Sequence, residues 1–343
     1  MGLINLVRFS LILTLMVIML GAYTRLADAG LGCPDWPGCY GHLTVPTDQH
    51  EIALANTLYP SLTIESNKAW LEMVHRYFAG TLGLVVFLIS VLTIKTRMLP
   101  PSLPIFISLV VVFQALLGMW TVTMKLMPVV VMGHLLGGFT LLSLLAILYW
   151  RLCDKTYHHR HFVSSKRLRN LALFCLGLIV VQIGLGGWTS SNYAALMCTS
   201  LPICEGDWVN YLNFEHAFQL IQPEQDSYEF GTLDYDARMT IHITHRFGAL
   251  LVTVFSSALL YMIFSRGDTR LKRAAMYMLL MLLLQISLGL GNVLLSLPLV
   301  VAVGHNIAAA MLLLSVLHVN YLLVRQRQNT VSTTHIFSQE GSL

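Results

Sequence analysis

Long apolar stretches separated by short polar connections dominate the chain. Eight of them reach the length of about 20 residues that a helix needs to cross a bilayer. Leu, Val, Ile and Met run through each stretch without strict alternation, which favours helices over barrel strands. The predicted spans are 6–24, 70–94, 104–124, 128–150, 170–188, 239–264, 274–296 and 299–323. The pattern therefore predicts an all-α integral membrane protein.

Composition and charge support this class and predict an orientation. The 343 residues are 56% hydrophobic and 11% charged, which excludes an ordinary soluble domain or a disordered chain. Most Lys and Arg residues lie at the termini and in the connections on one side, whereas the long loops near 25–69 and 189–238 are acidic. The positive-inside rule then predicts a multi-pass protein of the bacterial inner membrane with both termini cytoplasmic. The basic segments indicate topology, not nucleic-acid binding.

An internal repeat relates the two halves of the chain. The segment 21–24 recurs as 186–189, and the first apolar stretch thus has an equivalent in the fifth. We therefore expect it to be a retained helix, although 27–29 resembles a signal-peptide cleavage site. The repeat predicts two tandem four-helix bundles, 1–160 and 161–343, related by a pseudo-twofold axis along the membrane normal.

Four histidines occupy matched places near the outer ends of predicted helices: His75, His134, His245 and His305. An imidazole is costly in lipid, so a repeated pair indicates a function. In each half the two histidines lie at similar depth on helices that start on the same side, as the two axial ligands of a heme require. Zinc is the alternative, but zinc sites usually add Cys or carboxylate ligands, and none accompanies His134 or His305. Heme is favoured.

Charged residues near these histidines differ between the halves. Arg76 and Arg246 each follow a histidine directly, where they could bind anionic heme propionates or extend to lipid headgroups. Glu72 lies one helical turn before His75, and the corresponding position in the second half is His242. A carboxylate beside a heme pocket can take a proton or stabilise a developing cation. We therefore expect chemistry in the first half and a redox cofactor in the second.

Two cysteine pairs lie in the predicted outer loops, where the compartment permits disulfides. They are Cys33 and Cys39 in the first loop, and Cys198 and Cys204 in the second. Four cysteines allow three pairings, of which closing each short loop onto itself is the simplest.

These residues make the chain resemble the heme A synthase family. The resemblance rests on TRLADAGLGCPDWPGCYGH after the first helix, EMVHR opening the second, GH in the fourth, THR in the sixth and GH in the eighth. It implies an oxidoreductase that converts a methyl group of heme O to a formyl group through hydroxylated intermediates, with water as the oxygen source, which gives heme A for terminal oxidases.

The resemblance also implies roles for single residues. His245 and His305 would ligate a heme b cofactor, while His75 and His134 would bind heme O, and Glu72 matches the catalytic carboxylate. Similar members carry an outer-loop disulfide, which Cys33 and Cys39 could supply. The expected partners are heme O, the lipid bilayer, heme O synthase and terminal oxidase assembly factors; a homo-oligomer stays open.

Two other functions fit a membrane protein with paired histidines. One is a di-heme b-type cytochrome in quinone-linked electron transfer, which would hold two hemes of equal status and need no role for Glu72. The other is a heme transporter or chaperone that binds porphyrin without altering it.

Overall fold

The computed structural model describes residues 2–154, 165–202 and 204–340, with side chains as far as residue 324. Over these residues it is almost entirely helical, and Cys39 and His42 form one isolated β-bridge. The boundary predicted between residues 160 and 161 lies outside the described residues. The helices are α1 (Leu3–Leu26), α2 (Gln49–Leu58), α3 (Ser66–Lys95), α4 (Ser102–Thr123), α5 (Pro128–Asp154), α6 (Lys166–Ser191), α7 (Phe214–Ala217), α8 (Tyr235–Arg266), α9 (Thr269–Leu294) and α10 (Leu299–Glu340), with a 3-10 turn at Trp208–Tyr211.

Within the described part of the chain, eight helices are long and apolar enough to cross a membrane, namely α1, α3, α4, α5, α6, α8, α9 and the part of α10 up to Val324. The prediction of an all-α membrane protein with eight spans is confirmed. Several helices begin before their apolar stretch, because a polar first turn belongs to the helix without being apolar. In α8, for example, the Asp234 side chain accepts a hydrogen bond from the backbone N–H of Ala237 and caps the helix.

The outward surface of these helices is apolar. Leu84, Phe87, Leu109 and Leu173 are all more than half exposed, although each belongs to a membrane-spanning helix. Lipid tails are as apolar as these side chains, so such a surface suits a bilayer and would be unfavourable in water.

Within the first half, α1 contacts α3 and α5, while α4 contacts the same two helices. In the second half, α6 and α9 each contact α8 and α10. Between the halves, α1 packs on α10, and α5 packs on α6 and α10. One apolar core lies among α1, α3, α4 and α5, and a larger one joins α5 to the helices that follow it.

The two long loops fold back onto helix ends on the same side. The first packs Cys33, Tyr40 and Val45 against Ala69 and Met73 of α3. The second packs onto α6 and α8, where the indole N–H of Trp188 donates to the backbone oxygen of Ala217. Each loop thus covers the helix end that carries a matched histidine.

Candidate functional site

His75 of α3 and His134 of α5 face each other across the first half. Their ring centroids are 6.5 Å apart, and the ring planes are inclined by 83°. Two imidazole nitrogens bound to one metal from opposite sides, each at about 2 Å, place the ring centroids roughly 6 to 6.5 Å apart. The separation therefore suits two axial ligands of one iron.

A glycine on a neighbouring helix accommodates each of the four rings. A Cβ atom at Gly21 would lie 2.9 Å from Cε1 of His75, and one at Gly186 would lie 3.1 Å from Cε1 of His245. Gly118 and Gly289 make the equivalent approach to His134 and His305, at 3.3 and 3.2 Å. These distances are shorter than ordinary van der Waals contacts, so a methyl group at any of the four positions would push against an imidazole.

Glutamine side chains contact three of the histidines. Nε2 of Gln114 donates to the backbone oxygen of His134 at 2.5 Å, and Nε2 of its repeat equivalent Gln285 lies 3.2 Å from Nε2 of His305. Gln182 contacts His245: its Nε2 lies 3.0 Å from Nδ1 of the ring and 2.9 Å from the backbone oxygen of His245. Sequence reasoning did not assign these glutamines to the site, although Gln114 and Gln285 recur in the repeat.

The histidine rings also have unsatisfied nitrogens. The Nδ1 atoms of His75, His134 and His305 are buried and have no hydrogen-bond partner among the described residues. Buried polar atoms normally find a partner. Neutral imidazoles with a nitrogen to spare fit the role of metal ligands, so the residues present suit an iron porphyrin.

Glu72 lies beside the first pair, on the same helix as His75. Its side chain is almost fully buried, and its carboxylate forms a 2.5 Å ion pair with Nη2 of Arg76. The backbone N–H of Cys33 donates to the other carboxylate oxygen at 2.9 Å. At the equivalent place in the second half, Nδ1 of His242 lies 2.9 Å from the backbone oxygen of Ala194. Only the first half therefore places a carboxylate here.

The two matched arginines contact the cysteine loops. Nη1 of Arg76 donates to the backbone oxygens of Asp35, at 2.9 Å, and of Gly38. Arg246 donates to the backbone oxygens of Cys198 and Ser200, at 2.5 and 2.8 Å. Each arginine thus holds the loop of its own half. Binding of heme propionates by Arg76 and Arg246 stays a prediction.

Each cysteine loop is closed by its own disulfide. Cys33 is bonded to Cys39, and Cys198 is bonded to Cys204. This is the simplest of the three pairings that the sequence allows. Because Cys33 also donates to Glu72, the first disulfide is directly connected to the buried carboxylate.

Eight apolar helices among the described residues, with two matched pairs of partly buried histidines between them, define a multi-pass membrane protein. The chain belongs to the cytochrome oxidase assembly protein family, whose model matches residues 5–317.

Individual relatives agree with the family match. The chain is 54% identical over 328 residues to the heme A synthase of Shewanella oneidensis, an alignment that covers 95% of this chain and 98% of that protein. It is 26% identical to the heme A synthase of Mesorhizobium japonicum over 84% of this chain, and 27% identical to that of Granulibacter bethesdensis over 87%.

Proposed function

We propose that the chain is a heme A synthase, an oxidoreductase that oxidises a methyl group of heme O to the formyl group of heme A. The observation that carries the proposal is the facing pair His75 and His134 with the buried carboxylate of Glu72 one helical turn away. The 54% identity to a heme A synthase over nearly the whole chain supports it independently.

The first half, in this proposal, binds the substrate. His75 and His134 ligate the iron of heme O and fix its ring plane between α3 and α5. Glu72 takes up a proton from the substrate, or stabilises positive charge that develops on it, as the methyl group is oxidised. Arg76 and the N–H of Cys33 hold the carboxylate in place, and orientation of this kind is a large part of catalysis.

The second half, in this proposal, holds a heme b cofactor between His245 and His305. That heme supplies a one-electron redox centre when bound. Gln182 of α6 contacts His245 of α8, and Gln285 of α9 contacts His305 of α10. Contacts of this kind commonly orient ligating histidines. The absence of a carboxylate at position 242 is consistent with a cofactor site, where the porphyrin itself is not changed.

The proposed orientation places both termini in the bacterial cytoplasm and both cysteine loops outside it. The two disulfides support a location of the loops outside the cytoplasm, because such bonds persist in oxidising compartments. The two four-helix units, 1–160 and 161–343, are proposed to be the substrate bundle and the cofactor bundle. The contacts within each set of four helices support that division.

The proposal is tested by extracting hemes from cells that make heme O but lack their own synthase. Expression of this chain is expected to yield heme A, which is separated from heme O and heme b by chromatography. A di-heme cytochrome or a heme carrier would leave heme O unchanged while still binding heme. Heme binding without any heme A would therefore overturn the proposed activity.

A further inference from the structure

Arg25 lies at the loop-side end of α1, and the proposed function gives it no role. It is one helical turn from Gly21, the residue that packs on His75, so both face the same side of α1. Its side chain is only 14% exposed. Arg25 therefore lies on the side of α1 that faces the first histidine site, one turn closer to the loops.

The same guanidinium also reaches the second histidine site. Nη2 of Arg25 donates to the backbone oxygen of Ser190 at 2.9 Å. Ser190 lies one turn from Gly186, which packs on His245. Arg25 thus bridges the loop-side ends of α1 and α6, the two helices whose glycines pack on His75 and His245.

Contacts between repeat-equivalent residues explain this position. Residues 165 positions apart are equivalent here, as Gly21 is to Gly186, and both Arg25 with Ser190 and Asp28 with Tyr193 are such pairs. The Tyr193 hydroxyl accepts from Nη1 of Arg25 at 2.8 Å and donates to Asp28 at 3.2 Å. Equivalent residues touch only near the axis that relates two units, so this cluster marks the local twofold axis.

The repeat has diverged here, so that one of the two equivalent positions carries an arginine and the other does not. Two arginines facing each other would repel, and the second half carries Ser190 in place of an arginine. Asp28 is 3.9 Å from Arg25 and 40% exposed, so it offsets the charge only weakly, and the partly buried Glu229 is a second acid that interacts with Arg25. Nε of Arg25 is buried without a hydrogen-bond partner among the described residues, which leaves a donor to spare.

We propose that Arg25 is a carboxylate anchor shared by the two porphyrin sites, where it binds a propionate of the iron porphyrin held on either side. The inference rests on the proposed function, since it requires porphyrins at both histidine pairs. Charge-assisted hydrogen bonds from arginine to carboxylate are among the strongest in proteins. Tyr193 is a positioning residue that holds the guanidinium on the axis through its hydroxyl and, at 4.1 Å, its ring.

The test measures how fast heme leaves the purified holoprotein for excess apomyoglobin. Arg25→Gln is expected to speed heme loss about tenfold or more, the factor that corresponds to a lost charge-assisted hydrogen bond. Arg25→Lys, which keeps the charge, is expected to recover much of the retention. Arg8→Gln is the matched control, because it removes the same charge from the other end of α1, where Arg8 contacts Tyr149.

Two results would overturn the inference. One is heme loss from Arg25→Gln at the rate of Arg8→Gln. The other is heme loss from Arg25→Lys as fast as from Arg25→Gln, because the lysine variant keeps the cation. Failure of the proposed function is distinguishable, since it would show as a purified wild-type chain without heme or as heme binding without heme A.

Discussion

The carboxylate of Glu72 accepts a hydrogen bond from the backbone N–H of Cys33 at 2.9 Å, which ties a buried acid to a disulfide loop. Arg76 forms an ion pair with the same carboxylate and donates hydrogen bonds to backbone oxygens of that loop. The second half keeps the arginine and the loop but has His242 in place of the acid. The two halves therefore share a framework and differ in the group at this position, which is an acid in the first half and an imidazole in the second.

Replacing Glu72 by Gln is expected to abolish most heme A formation. The amide keeps the size of the side chain and can still accept from Cys33, but it cannot take up a proton, and such groups contribute about 100-fold or more to a rate. The measurement is the ratio of heme A to heme O in membrane extracts. His242→Gln, at the equivalent position, should leave that ratio near the wild-type value. A normal ratio in Glu72→Gln would contradict the role of the acid.

Removing Arg76 is expected to destabilise the protein more than removing Arg246. Arg76→Ala leaves the buried carboxylate of Glu72 unpaired, which costs about 3–5 kcal/mol, whereas Arg246→Ala removes only contacts to neutral groups. Thermal unfolding in detergent measures the difference. The double variant Glu72→Gln/Arg76→Ala should recover part of the loss, because no unpaired charge remains. Equal destabilisation by the two single variants would contradict this account of the ion pair.

A methyl group at Gly21 is expected to displace His75. The new Cβ would lie 2.9 Å from Cε1 of the ring, and overpacking of this kind costs about 1–3 kcal/mol. Gly21→Ala should therefore lower heme O binding in the first half while the second half keeps its heme. Gly80→Ala is the matched control, since its Cβ would meet nothing within 4 Å. Similar heme contents in the two variants, measured on purified protein, would argue against the close approach.

The two disulfides are expected to differ in their effect on activity. Cys33→Ser/Cys39→Ser loosens the loop that donates to Glu72, whereas Cys198→Ser/Cys204→Ser loosens the loop that Arg246 contacts through the backbone oxygens of Cys198 and Ser200. The first double variant should lose more heme A formation per molecule of retained heme. The comparison requires both heme A yield and heme content. An equal loss in the two variants would contradict a specific link to Glu72.

The sequence predicts the parts of this structure that depend on periodicity and repetition. The eight spans follow from apolar length, and the pairing of His75 with His134 follows from matched depth in one bundle. Glu72 stands out because the repeat places a histidine at the equivalent position. Each of these inferences needs only local pattern and helix geometry.

Contacts between helices could not be predicted in the same way. The approach of Gly21 to His75, and of Arg25 to Ser190, depends on how α1 rotates against α3 and α6, which the one-dimensional pattern does not fix. Arg76 could have faced a propionate or a headgroup; its position on the loop carbonyls follows from the fold of the cysteine loop. The small helix α2 was missed because it lies inside a polar loop and lacks a long apolar stretch.

Heme content of the four single His→Ala variants tests the central claim most directly, with His318→Ala as the control on the same helix as His305. His318 stacks on Trp150 away from the matched pairs, so its loss should leave heme content and the low-spin absorption spectrum unchanged. His245→Ala and His305→Ala are expected to remove the heme b spectrum, whereas His75→Ala and His134→Ala are expected to keep it but lose heme O. Wild-type heme content and spectra in all four variants would contradict the assignment of these histidines as iron ligands.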